Sequence, residues 1–112
     1  MKMIEAIVRP FKLDEVEQQI YAAGAKGMTT SEVRGFGRTG GKQETYRGSA
    51  YVAELLPKVR IQVLADDDQV TTILEAITRS SRTGEIGDGK IIISDVEEVI
   101  RVRTGERGKD AI

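Results

Sequence analysis

Apolar and polar residues alternate at the start of the chain and then recur at a helical spacing. Alternation over residues 2–9 predicts a half-buried strand, which Pro10 ends. Apolar residues three or four positions apart then predict a helix that stops at Gly24. The apolar positions behind these two predictions are Ile4, Ala6, Val8, Leu13, Val16, Ile20 and Ala23. Residues 25–36 contain threonine and valine, and they predict a second strand.

The second half of the chain repeats this strand, helix, strand pattern. Residues 59–64 alternate and predict a third strand, and the aspartates at 66–68 are suited to a helix N-terminus. The stripe that the second helix would bury comprises Val70, Ile73, Leu74 and Ile77. Residues 91–93 predict a fourth strand and residues 99–102 a short further one. A polar, irregular segment is expected at residues 104–110.

Residues 37–57 separate the two halves and fit neither periodicity. Connections longer than about 12–15 residues without regular structure are uncommon in compact domains, and are usually functional or disordered. This one carries Tyr46 and Tyr51 beside Arg47 and Ser49. Aromatic residues on a polar loop indicate a tip that another molecule contacts. An insertion without a role is the alternative.

The predicted elements follow in the order β-α-β, long loop, β-α-β. This order predicts one α+β domain over residues 1–112, a ferredoxin-like βαββαβ sandwich with two helices on one face of four strands. Such a sheet leaves its other face bare, yet residues 91–93 are apolar on both faces, as in strands that are covered on both sides. No third helix is predicted that could cover them. We therefore expect another copy of the chain to do so.

The composition narrows the classes of function. The chain has 17 basic and 18 acidic residues, so it lacks the strongly basic surface that nucleic acid requires. It contains no cysteine and no histidine, which removes the thiol nucleophile, thiolate zinc sites and the commonest general base. An enzyme would have to work with aspartate, glutamate and lysine, and we expect a protein that is not an enzyme. The first residues are too charged for a signal peptide or a membrane span, so we expect a cytoplasmic location without membrane insertion.

Two glycine patterns resemble nucleotide-binding motifs but lack the elements that should follow them. The pattern G-x-G-x-x-G at residues 35–40 precedes a polar loop, where a dinucleotide fold needs a helix. The pattern G-x-x-x-x-G-K at residues 84–90 precedes a predicted strand instead of a P-loop helix. Its glycines still let backbone amides approach an anion, and Lys90 adds a charge. Arg101 and Arg103, two apart on a predicted strand, would project to one side and clamp phosphate oxygens. A glycine turn with ordinary surface cations is the alternative.

These residues also carry a resemblance to a known family. YRGSAY at residues 46–51 resembles the signature of the PII nitrogen-regulatory signal proteins, and TGEIGDGKI at residues 83–91 resembles their second signature. KMIEAIVRPFKLDEV at residues 2–16 and RVRTGE at residues 101–106 are similar as well. The likeness covers essentially the whole chain in register.

The resemblance implies a non-enzymatic signal protein that assembles as a homotrimer. ATP and ADP would compete for the clefts between subunits, and 2-oxoglutarate would bind with Mg²⁺ and ATP. The long loop would dock on an ammonium transporter or a nitrogen-metabolism enzyme, or leave it, through Arg47 and Tyr51. Tyr51 matches a tyrosine that some bacteria uridylylate or adenylylate, and Ser49 matches a serine that is phosphorylated in cyanobacterial relatives.

The resemblance also implies which residues contact small molecules. Residues 87–90 would hold the phosphates beside the two arginines, and residues 37–38 would lie at the loop base. Thr29 and Leu64 would lie near the adenine, and Lys58 would pair with a carboxylate of 2-oxoglutarate. The complete implied set is Thr29, Gly37, Arg38, Thr39, Lys58, Leu64, Gly87, Asp88, Gly89, Lys90, Arg101 and Arg103.

The long loop departs from the family pattern. Thr39 stands where a glutamine is usual, and that glutamine helps to coordinate the magnesium that 2-oxoglutarate also chelates. Gly40 stands where a lysine is common. The alternative function is therefore a PII-like adenine-nucleotide sensor that does not respond to 2-oxoglutarate and senses another small molecule, such as bicarbonate. A slow nucleotide hydrolase would need a base for water, and none is evident in the sequence.

Overall fold

The computed structural model describes residues 1–37, 43–46, 49–52 and 55–112, and for residues 43–46 and 49–52 it describes only the strands. Two α-helices and six strands lie in this part of the chain. The helices are α1 (Leu13–Ala22) and α2 (Val70–Ser81). The strands are β1 (Lys2–Val8), β2 (Thr29–Gly35), β3 (Gln43–Tyr46), β4 (Ser49–Val52), β5 (Leu56–Ala65) and β6 (Lys90–Asp95).

Four of these strands form one antiparallel sheet in the order β2-β5-β1-β6. The first strand of each β-α-β unit lies in the centre of the sheet and the second at an edge, so the two units interleave. Ile4 on β1, for example, is paired with Val63 on β5 and with Ile93 on β6. This arrangement confirms the α+β, ferredoxin-like fold predicted from the order of elements.

The core lies between the sheet and the two helices because β1 and β5 alternate. Every second residue of these strands is buried, and the residues between them are partly exposed. Each helix contributes one apolar stripe to the same core. The buried residues of this core are Ile4, Ala6, Val8, Val16, Ile20, Val59, Ile61, Val63, Ala65, Ile73 and Ile77. The sheet is therefore packed on one face within the chain.

The stretch predicted to fit neither periodicity contains an antiparallel hairpin. Strands β3 and β4 form a sheet of their own and pair Gln43 with Val52 and Tyr46 with Ser49. Strand β5 also begins earlier than predicted, at Leu56. The expectation of an irregular connection was wrong for these residues because their backbone groups pair with one another in a ladder.

Residues 99–102 do not form the predicted short strand. Ile100 makes a single isolated antiparallel bridge to Arg107, and in the turn between them Gly105 adopts a φ of +75°. The chain then forms a 3₁₀ turn at Gly108–Ala111. The polar segment expected to be irregular is thus folded back on the preceding residues, because glycine permits a tight turn there.

The outer face of the sheet, opposite the helices, is open in the single chain. Ile92 lies on this face and is 51% exposed. Ile91 packs against the core, whereas Ile93 shares the core side but is 45% exposed at the sheet edge. The exposed isoleucines of β6 are the physical basis for the predicted assembly with other copies.

Candidate functional site

An aspartate organises the glycine-rich loop between α2 and β6. One carboxylate oxygen of Asp88 accepts hydrogen bonds from the amides of Thr83 at 2.8 Å and Gly84 at 2.9 Å. The other accepts a hydrogen bond from the Thr83 hydroxyl. The Gly84 amide, one of the glycine amides predicted to approach an external anion, is therefore engaged by the chain's own carboxylate, together with the neighbouring Thr83 amide.

Two cations of the sheet attach this loop to the domain. Arg9, at the end of β1, donates from Nη2 to the carbonyl of Ile86 at 2.8 Å and from Nε to Asp88 at 3.2 Å. Lys58 on β5 donates from Nζ to the carbonyl of Gly87 at 2.7 Å. Lys58 was predicted as a site residue, whereas Arg9 was missed. The signal available for Arg9 was its place in the first segment that resembles the PII family.

The end of the loop lies directly on β1. Gly89 has a φ of +105°, and a Cβ atom added there would lie 1.7 Å from the carbonyl oxygen of Ile7. A side chain therefore cannot be accommodated unless the backbone moves. Lys90, which follows, is paired with Ile7 and is exposed. The structure thus brings together four predicted residues of this region: Lys58, Gly87, Asp88 and Gly89, with Lys90 adjacent.

The contacts of this loop set its electrostatics. The Thr83 hydroxyl first, then the amides of Thr83 and Gly84 and the Arg9 guanidinium, hold the pKa of Asp88 well below its usual range. Partial burial, and secondly the charge of Arg9, lowers the pKa of Lys58. Asp88 is therefore ionised near neutral pH and engaged in the loop.

A second group of predicted residues lies at the other end of β5. Thr29 and Leu64 line a cavity of about 240 Å³ together with Gln62. The other lining residues, which sequence reasoning missed, are Met3, Lys26, Gly27, Ala111 and Ile112. The cavity offers an apolar wall and the polar groups of Thr29 and Gln62, which is a combination that small-molecule sites use.

The two arginines do not stand on a strand, so the geometric argument for a shared clamp was wrong. Arg101 donates to the Glu106 carboxylate from Nη1 at 3.0 Å and to the Ile112 carbonyl from Nη2 at 3.2 Å. Arg103 lies in the following turn and is exposed. Through Ile112, Arg101 lies next to the cavity lined by Thr29.

The two groups of residues are well separated within one chain. Lys58 and Leu64 lie on the same face of β5 and are six residues apart. At about 3.3 Å per residue, this spacing puts their backbones about 20 Å apart. The structure therefore forms two distinct clusters: the loop cluster around Gly87 and the cavity around Leu64.

The remaining predicted residues belong to the long loop. Gly37 is exposed just after β2. Arg38, Thr39 and Arg47 lie outside the described residues, and Ser49 and Tyr51 are described only as members of β4.

Comparison with known proteins decides between the families that such a sheet could belong to. The sequence profile of the family described as "Nitrogen regulatory protein P-II" matches residues 1–106. The chain belongs to the P-II family. Similar proteins of that name occur in Cereibacter sphaeroides at 58% identity, Nostoc punctiforme at 56% and Azospirillum brasilense at 54%. Each alignment spans 112 residues and covers all of this chain and all of the relative.

Membership in the P-II family confirms the resemblance drawn from the two signatures. It also gives the general role, since P-II proteins are nitrogen regulatory proteins that act in signal transduction. Among the described residues, no helix has the length and apolar character needed to cross a membrane.

Proposed function

We propose that this P-II protein binds ATP and ADP in competition, in a site shared by two subunits of a homotrimer. The observation that carries the proposal is the separation of the two clusters along one face of β5. The loop cluster offers Lys58 and Lys90, and the cavity about 20 Å away offers Thr29 and Leu64. Within one chain the two clusters are too far apart to form one site. If the outer face of one subunit packs against another subunit, the cavity of one chain would meet the loop cluster of its neighbour.

The cavity is the proposed base site. Its volume of about 240 Å³ is below the roughly 300–1,000 Å³ usual for whole small-molecule sites, so it suits a base better than a complete nucleotide. The apolar side of Leu64 would stack against adenine, and the polar groups of Thr29 and Gln62 would hydrogen-bond to its edge. Arg101, adjacent through Ile112, would reach the phosphates with Arg103.

The loop cluster of the neighbouring subunit is the proposed phosphate site. Gly87 and Gly89 have φ values of +103° and +105°, which let the backbone approach closely. Lys90 supplies an exposed charge beside them. Asp88 would hold the loop in shape. One nucleotide would thus depend on two chains, and ATP and ADP would exclude each other.

Mg²⁺ and 2-oxoglutarate are the proposed further ligands. The described residues contain no group of three or more carboxylate, histidine or cysteine side chains that could hold a metal ion. Mg²⁺ commonly binds through substrate phosphates and water, so the nucleotide phosphates would supply its ligands. A carboxylate of 2-oxoglutarate would replace the Gly87 carbonyl as the acceptor for Lys58, because an ionised acceptor forms the stronger hydrogen bond.

The loop that contains the hairpin β3–β4 is the segment that we propose partner proteins recognise. Nucleotide and effector occupancy would shift the population of conformations of residues 37–57. An ammonium transporter or a nitrogen-metabolism enzyme would recognise the loop through Arg47 and Tyr51. Covalent modification of Tyr51 or Ser49 would add charge at the same surface and change that recognition.

Mixed oligomers test the shared site directly. Lys90→Ala removes a phosphate contact and should weaken ATP binding by roughly 1.5–3 kcal/mol. Leu64→Trp should fill the base cavity. Each variant alone should bind ATP poorly, whereas oligomers assembled from both should recover binding where an intact cavity meets an intact loop. Calorimetry that finds no recovery in mixed oligomers would contradict a shared site.

A second candidate function rests on the sequence of the long loop. Because Thr39 and Gly40 replace the residues usual in the family, the chain would sense adenine nucleotides with another small molecule, such as bicarbonate, and would not respond to 2-oxoglutarate. Calorimetric titration of the Mg-ATP-saturated protein with 2-oxoglutarate and with bicarbonate distinguishes the two functions by which ligand produces a saturable signal.

A further inference from the structure

Residues 105–112, which we call the return segment, fold back onto two groups that the proposed nucleotide site requires. The Glu106 carboxylate lies 3.0 Å from Nη1 of Arg101, and the Ile112 carbonyl accepts a hydrogen bond from Nη2 at 3.2 Å. Ile112 also lines the cavity that contains Leu64. The return segment therefore contacts both the arginine and the cavity.

Several contacts hold the return segment in this place. Lys109 forms an ion pair with Asp66 at 3.1 Å, which lowers the pKa of Asp66 and raises that of Lys109. The Gly108 amide donates to the Val99 carbonyl at 2.9 Å and to the Glu98 carboxylate at 3.0 Å. The segment is thus fixed at its middle and at both ends. Its position is a property of the fold and not of one contact.

The segment presents to Arg101 the same kind of group that a nucleotide would present, an anionic oxygen. A nucleotide would bring an anionic oxygen to Arg101 and a flat apolar base to the cavity. The return segment brings the anionic oxygen of Glu106 to Arg101, and Ile112 forms part of the wall of the cavity. We propose that the return segment is an intramolecular competitor of the nucleotide, and that Glu106 determines which ligands displace it. This inference rests on the proposed nucleotide site.

Competition at Arg101 gives the site a preference for phosphorylated ligands. The guanidinium has five N–H donors in one plane, and a phosphate recognised in the bidentate manner needs two that point the same way. Glu106 and Ile112 occupy Nη1 and Nη2. A ligand with phosphates can replace the carboxylate of Glu106 with another anion. Adenosine has no such group, so it gains nothing at Arg101 and leaves Glu106 in place.

Removing the charge of Glu106 tests the competition. Because the Arg101–Glu106 pair is partly exposed, Glu106→Gln should tighten binding of ATP and ADP by about two- to fivefold and leave adenosine unchanged. Glu15→Gln is the matched control: it removes one carboxylate that pairs with Lys12 at 3.3 Å on α1, and it should change none of the three affinities. Calorimetry measures all three ligands.

A second measurement uses the unmodified protein. Displacement of the return segment should speed hydrogen exchange of the Gly108 and Arg101 amides, which donate to Val99 and Glu106. Saturating ADP should produce this acceleration, and adenosine should not. Lys109→Gln, which breaks the ion pair to Asp66, should accelerate the same amides without ligand and tighten ADP binding.

The outcomes separate the inference from the function on which it rests. If the unmodified protein binds neither ATP nor ADP, both are wrong. If it binds them, but Glu106→Gln binds them equally or more weakly and ADP slows exchange at Gly108, then only the competitor is wrong. In that case ligand binding would stabilise the return segment in its place instead of displacing it.

Discussion

Asp88 is the residue on which the conformation of the glycine loop depends. Its carboxylate accepts two amide hydrogen bonds and one from the Thr83 hydroxyl, and Arg9 lies 3.2 Å away. A carboxylate that accepts several hydrogen bonds is favoured in its charged form. The loop therefore contains its own anion, and the exposed Lys90 is available to meet a ligand.

The pH dependence of stability should report this carboxylate. The pKa of Asp88 is lowered in the folded protein from its ordinary value of 3.8. The unfolded state therefore binds more protons below that value, and the stabilisation by Asp88 is complete above about pH 4 and is lost as the pH falls further. We expect Asp88→Asn to lower the free energy of unfolding near pH 7 and to matter less as the pH falls below about 4. Denaturant unfolding of both proteins measures this, and a pH-independent difference would contradict it.

A second prediction for a single residue concerns Thr39 and the response to 2-oxoglutarate. Magnesium prefers octahedral ligands at about 2.0–2.1 Å, and a threonine hydroxyl lies closer to its backbone than a glutamine oxygen does. We expect the 2-oxoglutarate response to be weak or absent, and Thr39→Gln to strengthen it while leaving ADP binding nearly unchanged. Calorimetry with saturating Mg-ATP measures this, with Thr72→Gln on the exposed side of α2 as the control. Tight 2-oxoglutarate binding by the unmodified protein, not improved by Thr39→Gln, would contradict it.

At the scale of elements, periodicity predicted the strands and helices that bury one face in the core. Strand β1 and both helices were located because burial of one face imposes a spacing of two or of three to four residues. The hairpin β3–β4 was missed because its strands form a separate two-stranded sheet, and residues 37–57 fit neither periodicity. Their signal was local: tyrosine, threonine and valine in two short runs that flank the dipeptide Arg47–Gly48.

The candidate site was predictable only in part, for a related reason. Sequence motifs identified the glycines and Lys90, but contacts between distant positions have no local pattern. Arg9 meets Asp88 across 79 positions, and Lys58 meets Gly87 across 29. Residues 104–110 were likewise expected to be irregular, because polar composition does not show which partners fold the segment back. The ion pairs join Glu106 to Arg101, Arg107 to Glu98 and Lys109 to Asp66.

Two glycines of the loop between α2 and β6 should differ in how strongly alanine destabilises the fold. Gly84 and Gly89 have φ values of +87° and +105°, so alanine is strained at both. Only at Gly89 would the new Cβ atom also meet backbone, the Ile7 carbonyl. We expect Gly84→Ala to cost about 1 kcal/mol of unfolding free energy and Gly89→Ala at least about 2 kcal/mol more. Thermal or denaturant unfolding compares them, and equal destabilisation would show that β6 shifts away from β1 without penalty.

At the scale of the whole molecule, the open sheet face connects assembly with ligand binding. The face carries the cavity at one end of β5 and Lys58 at the other, and Ile92 stands exposed on β6. If other subunits cover this face, the same contact buries the isoleucine and joins the two clusters. Assembly and nucleotide binding should therefore fail together when the face is altered.

Ile92→Asp tests that connection. In a single chain the substitution should be tolerated, because Ile92 is already 51% exposed and lies away from the core. In an assembly it would bury a charge against apolar surface, which is strongly unfavourable. We expect the unmodified protein to sediment as a trimer at micromolar concentration, and Ile92→Asp to sediment as a folded monomer that no longer binds ATP.

Ile93→Asp is less informative because Ile93 lies on the core side. Tyr21→Asp, at an exposed position of α1, is the control and should leave a trimer that binds ATP. A stable monomer of the unmodified protein, or a monomeric Ile92→Asp variant that binds ATP normally, would show that the site does not depend on assembly.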